Sequence, residues 1–245
     1  MEPTEHDMRG KPGSGAPAGG AVAGGTSDPT LGPHAATILA AEHWSLLAAR
    51  SLIWNEAMSR ATVFLTVLSA SIIALALLAD ATGFGPQTTT LALVLLPVVF
   101  LLGIAAYARL VQINEEEFRL VLAMNRVRHG YLQIEPGLDR YFTTGHHDDE
   151  PGVIATYMFD GPSRRWLLVH FLVNTPTIVA TVNAALAAAI VVLLLQVGEA
   201  SEAAEVAGGL IAFAVVWGLL LRLQMHTLRP FRGRTPRFPT RPDLP

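Results

Sequence analysis

Ala61–Ala79 reads ATVFLTVLSASIIALALLA, 19 residues without one charged side chain. About 20 apolar residues in a helix cross a hydrocarbon core of roughly 30 Å. The stretch therefore predicts a transmembrane helix, and the rest of the chain can be read outward from it. Its distal flank, Asp80 to Gln87, holds no Lys or Arg, and a second apolar run begins at Thr88. That run, Thr88 to Ala108, is TTTLALVLLPVVFLLGIAAYA, with Pro97 and Gly103 inside it as expected kink positions. A third span is expected over Pro176 to Val197. A fourth is expected over Ala203 to Leu221, short enough that Glu205 must sit at the interface.

The charges give these runs a direction. All 17 Lys and Arg residues fall on one side of the implied membrane, and the two loops that lack them, Asp80 to Gln87 and Gly198 to Glu205, are hairpin tips. Arg50 and Arg60 precede span one, Arg109 follows span two, Arg164 and Arg165 precede span three, and Arg222 follows span four. Basic flanks remain on the cytoplasmic side. Both termini and the long central loop are therefore expected inside a bacterial plasma membrane, with the two tips outside.

Composition agrees with that class. The chain is 51% hydrophobic and 15% charged, with a mean hydropathy of +0.40, whereas soluble domains carry about 25% charged residues. With no cysteine, disulfides, thiolate metal sites and Cys lipidation are excluded. The first 35 residues lack an apolar core of the kind a cleavable leader needs, so none is expected.

Six segments follow. Residues 1–34 hold eight Gly and five Pro and almost no large apolar side chain. They cannot bury enough surface to offset the entropy of ordering, and a disordered cytoplasmic tail is expected. Residues 35–60 form an amphipathic helix, 61–108 the first hairpin, 109–175 a cytoplasmic helix and loop region, 176–221 the second hairpin, and 222–245 a basic, Pro-rich tail. The expected fold is thus an all-α membrane protein with four transmembrane helices in two hairpins.

The helix before span one has Leu39, Leu46 and Ile53 seven residues apart, and a second stripe of Trp44, Leu47, Trp54 and Met58. It either lies in the bilayer plane with its tryptophans as anchors or packs on another helix. The favoured partner follows span two. There Leu110, Ile113, Leu120, Met124, Val127 and Tyr131 recur at spacings of three and four, interrupted by Glu117. Span two is then expected to continue as a helix to Ile134, with Gly130, Pro136 and Gly137 ending it.

Few residues carry candidate chemistry. His146, His147, Asp148, Asp149 and Glu150 are possible divalent-metal ligands. Adjacent side chains diverge, however, so a solvated acidic turn is the preferred reading and no metal or other cofactor is assigned. Thr62, Thr66 and Ser69 share a face of span one, and Thr177 and Thr181, with Asn183 nearby, mark span three. They serve interhelical hydrogen bonding or, alternatively, line a hydrated path. With Glu205 at the interface, no Asp, Glu, Lys, Arg or His lies inside a span, which argues against proton-coupled transport. The tail arginines Arg229, Arg232, Arg234 and Arg237 suit an anionic inner leaflet, each contributing about 1 kcal/mol near the surface. No folded nucleic-acid module accompanies them, so no nucleic-acid partner is expected. Phosphate-binding loops, nucleophile elbows, HExxH and dinucleotide fingerprints are all missing.

Three stretches, WNEAMSRATVFLTVLSASIIALALLADATGFG from Trp54, RLVQINEEEFRLVLAMNRVRHGYLQIEPGLDRYF from Arg109 and HHDDEPGV from His146, resemble a group of multipass integral membrane proteins common in actinobacteria and related bacteria. The resemblance covers most of the chain apart from the two tails and brings no activity with it. The order of helix, membrane hairpin and long helix is also similar to the two-span bacterial effectors of the SLATT type, an architectural likeness only. The expected function is a non-enzymatic membrane scaffold or effector that acts through cytoplasmic helix packing and forms a homo-oligomer. The alternative is a channel or small-solute carrier using the polar faces of spans one and three.

Overall fold

The structure, a computed structural model, describes residues 31–83, 85–157, 174–227 and 235–240. The N-terminal tail up to residue 30, Arg164, Arg165 and the tail arginines Arg229, Arg232 and Arg234 lie outside the described residues. Those described form helices and no strand: α1 (Ala35–Thr82), α2 (Pro86–Ile134), a 3-10 helix (Pro136–Tyr141), α3 (Glu150–Tyr157), α4 (Thr175–Val197) and α5 (Glu202–Thr227).

With no Gly or Pro between residues 35 and 82, nothing stops α1 for 48 residues. At 1.5 Å per residue it is about 70 Å long, more than twice the hydrocarbon thickness. The 49 residues of α2 match it, and Pro97 sits inside that helix without ending it. The amphipathic segment and span one are thus one helix, and span two runs unbroken into the segment after it. Between them Gly83 turns the chain at φ 74°, a left-handed conformation that glycine adopts without strain. Thr88 closes the turn by donating to the Gly83 carbonyl at 3.0 Å. The second pair of helices starts at Asn174, whose side chain accepts from the Thr177 N–H at 3.0 Å as an N-cap, with Pro176 in the first turn.

Among the described residues four helices are long and apolar enough to cross a membrane. Their outer faces carry large exposed side chains such as Ile72, Leu77, Val94, Leu101, Leu194 and Leu210. A contiguous apolar exterior of this extent suits a lipid solvent, since soluble monomers rarely expose patches above a few hundred Å². Inside, α2 is the central helix: α1 packs along it, α4 packs against it, and α5 pairs with α4.

The buried stripe of α1 is Ala57, Ala61, Phe64, Ser71 and Ala79, with Leu68 and Leu75 between. Four of these seven are small, which lets the backbones approach. Gly103 of α2 is the tightest approach: a Cβ there would collide with the Asn183 side chain of α4 and the Phe64 ring of α1. Asn183 is fully buried, and its amide donates to the Val179 carbonyl at 3.1 Å. At the end of the bundle nearer the chain termini, the Tyr107 hydroxyl donates to the Leu220 carbonyl, tying α2 to α5. One turn on, Thr177 donates to Gln224 at 3.3 Å, both side chains buried.

Candidate functional site at the extramembrane end of the bundle

Beyond the apolar spans, α1 and α2 continue side by side as a two-helix stalk. Leu46, Met124 and Val127 are buried together, with Leu39, Leu47, Leu120 and Tyr131 packed around them. Leu39 sits over Gly130, where a Cβ would come within 2.9 Å of it. Closer to the spans, Leu110 and Ile113 are buried, and Ile53 and Met58 of α1 pack on that cluster. The second stripe divides: Leu47 and Met58 reach the seam, whereas Trp44 is 73% exposed and Trp54 59%.

Glu117, the polar break in the α2 repeat, meets a cation from α1. Arg50 donates to Glu117 Oε1 through Nη2 at 3.0 Å and through Nε at 3.3 Å. An ion pair at one seam position fixes the register of two helices, because any slip leaves a half-buried charge unmatched. Two turns nearer the spans, Arg109 grips both oxygens of Glu56 at 2.9 Å and reaches Glu116 at 2.9 Å. The hydrogen bond from Arg109 is the largest influence on the Glu56 carboxyl and, with the charges of Arg109 and Arg60, holds it below its usual range against the opposing effect of burial.

The other face of the α2 stalk builds a cradle from the HHDDE loop. Asn125 is fully buried. Its amide donates to the His147 carbonyl at 2.8 Å and the Gly152 carbonyl at 3.2 Å, and its oxygen accepts from Arg128 and from Thr156 at 2.9 Å each. Arg126 donates to Asp148 Oδ2 at 2.6 Å, and the Asp148 side chain has no exposed surface. Asp149 accepts from the Gly152 N–H at 2.9 Å at the start of α3.

Into this cradle comes the segment 235–240 of the C-terminal tail. The Arg237 N–H donates to Asp148 Oδ2 at 3.1 Å and the Phe238 N–H to Asp148 Oδ1 at 2.8 Å. In return the Asp148 N–H donates to the Phe238 carbonyl at 3.2 Å, and His147 Nδ1 lies 3.3 Å from the same oxygen. Thr240 donates to Asp149 from both its N–H and its hydroxyl. The Phe238 ring stacks on His129 at 4.1 Å between centroids. Burial pushes the Asp148 carboxyl up, but the hydrogen bonds from Phe238, Arg126 and Arg237 outweigh it and hold it below its ordinary value. Burial, and then the neighbouring His147, hold the His146 imidazole below its ordinary value, opposed by Asp139.

Leu110, Ile113, Met124 and Val127 are buried in the stalk and the bundle below it, with Leu120 and Tyr131 at the edge. His147, Asp148 and Asp149 converge on the tail rather than on one point. Among the described residues no group of three or more His, Asp or Glu has metal-holding geometry. Arg237 presents its backbone to Asp148 and keeps its side chain exposed.

The polar intramembrane residues separate. Thr177 and Asn183 point inward, whereas Thr62, Thr66 and Ser69 lie on the exposed side of α1. The reason is register: the stripe that packs runs through Ala61, Phe64 and Leu68, so residues one and two positions later face outward. Thr181 is also exposed and accepts from the Trp217 indole at 3.1 Å.

Sequence reasoning passed over Asn125, Arg126 and Arg128, which look like the solvated side of a projecting helix. It also passed over Phe238, which was read within a basic tail. Comparison with family models, with curated proteins and with solved structures gives no match. Fold and composition define the class: among the described residues the chain is all-helical, with four helices long and apolar enough for a multipass membrane protein.

Proposed function

We propose that this chain is a non-enzymatic membrane scaffold or effector whose stalk associates with a second copy of itself. Its two helix pairs cross a bacterial plasma membrane as hairpins, with both termini and the stalk in the cytoplasm and the basic tail near anionic lipid. The one-sided Lys and Arg residues support that threading.

One observation carries the assembly. On α1, Ile38, Ala41, Ser45, Ala48 and Leu52 recur at spacings of three and four, and all are exposed. This is a second, uncharged seam on the side of α1 away from α2, and Trp44 stands beside it, 73% exposed. Trp44 precedes Ala61 by 17 residues, about 25 Å along a helix, too far for an anchor in the lipid interface. Trp54, seven residues from Ala61, is about 10 Å away and suits such an anchor.

The test is Ala41→Glu together with Ala48→Glu, which places two charges in the exposed seam of α1. Size measurement in nanodiscs should show loss of the oligomer, and the thermal midpoint should fall. A monomeric wild-type protein whose helicity and stability ignore the double change would refute the proposal. A solute path between spans one and three gains no support, since Thr62, Thr66 and Ser69 face away from α4.

A further inference from the structure

The geometry points to the cradle on α2 as a peptide-binding site for an extended aromatic–Pro–Thr segment, with this chain's own residues 235–240 as its occupant in cis. This stands apart from the stalk's self-association and does not depend on it.

The argument begins with what holds the cradle. Asp148 is fixed by Arg126, Asp149 by the Gly152 N–H, and the loop carrying both by Asn125, which grips it at the His147 and Gly152 carbonyls. Every one of these supports comes from α2, the loop or α3, and none from the tail. The site is therefore built before its occupant arrives, which lowers the ordering cost of binding.

The occupant fits as a ligand does. Its N–H groups at 237, 238 and 240 all meet carboxylate oxygens. The residue between the last two is Pro239, which has no N–H to satisfy. A proline there matches a gap in the row of acceptors. Phe238 supplies the apolar anchor on the His129 ring, and the Thr240 hydroxyl adds a bond of 2.9 Å to Asp149. The side chain of Arg237 is exposed and is not read. Recognition thus asks for an aromatic residue, a following proline and a hydroxyl, and uses main-chain bonds for the rest.

The test uses the full chain in nanodiscs and a fluorescent peptide of sequence TPRFPT. In wild type the cis segment occupies the cradle, so the peptide should bind weakly. Phe238→Ala with Thr240→Ala empties the cradle and should tighten peptide binding at least tenfold. Adding Asp149→Asn to that chain should remove the gain, with helicity unchanged by circular dichroism. The peptide carrying Ala in place of its Phe should not bind either chain. Equal binding to wild type and to the emptied chain, or no binding to either at millimolar peptide, would overturn the assignment. So would energy transfer showing that the cradle is filled by the tail of a neighbouring copy.

Discussion

Gly103 and Asn183 show how one atom decides packing inside the bundle. The Asn183 oxygen is buried without a hydrogen-bond partner and faces the Gly103 backbone. A Cα–H contact is a weak substitute for a partner. Gly103→Ala should therefore cost about 1–3 kcal/mol through overpacking against Asn183 and Phe64. Asn183→Leu, similar in shape, removes the unsatisfied oxygen and should be near neutral. Thermal unfolding of both variants in the same detergent checks the contrast, and a larger loss for Asn183→Leu would contradict it.

Asp148 gives a second prediction at this scale. Its folded pKa is held below the ordinary 3.8. The ion pair and tail bonds are then fully present above that value and lost as pH falls through the folded one. His129 lies near both the His146 and the His147 rings and stacks on Phe238, and His147 Nδ1 is 3.3 Å from the Phe238 carbonyl. The chain lacks cysteine, so Leu244→Cys gives a unique label site on the tail. Anisotropy of that label should stay high from neutral pH down to about pH 5 and drop below about pH 4. A drop centred between pH 6 and 7 would assign the control to a histidine instead.

At the scale of elements, the Arg50–Glu117 pair sets how α1 and α2 meet. Its side chains are 38% and 25% exposed, so solvent screens part of the attraction. Arg50→Ala should destabilise the stalk by about 1–2 kcal/mol, largely by stranding Glu117. Arg50→Leu with Glu117→Leu should restore that stability while weakening the register. Distances between spin labels on the two helices would report the register, and an unchanged, narrow distribution would argue against it.

The seam itself was legible in the sequence because its repeat is regular: Leu110, Ile113, Leu120, Met124 and Val127 announce a buried face. The end of α2 was legible from Pro136 and Gly137, whereas Gly130, also expected to end it, lies buried inside the helix. The packing face of span one was harder to read. In an all-apolar run the polar residues stand out, yet here the small ones, Ala57, Ala61 and Ser71, mark the contact, and Thr62 and Thr66 face outward. The cradle was hidden for a different reason. It joins residues about 90 apart in sequence, Asp148 and Asp149 with Phe238 and Thr240, and local periodicity carries no information about such a pairing.

For the whole molecule, the contact between segment 235–240 and the loop after α2 puts the chain's C-terminal part at the same end of the bundle as the stalk. Four helices able to cross a membrane, α1, α2, α4 and α5, accord with that placement, whereas three or five crossings would separate the two. The two helix links, at Gly83 and at Glu199, then share the opposite end. The most direct test of this threading uses single cysteines in the cysteine-free chain. Ala81→Cys and Ser201→Cys lie at exposed positions beside the two links, and Glu135→Cys lies at the exposed end of the stalk. With intact cells and a membrane-impermeant maleimide, the account predicts labelling at 81 and 201, and labelling at 135 only after the membrane is opened. Labelling at 135 in intact cells, or at only one of the two links, would contradict it.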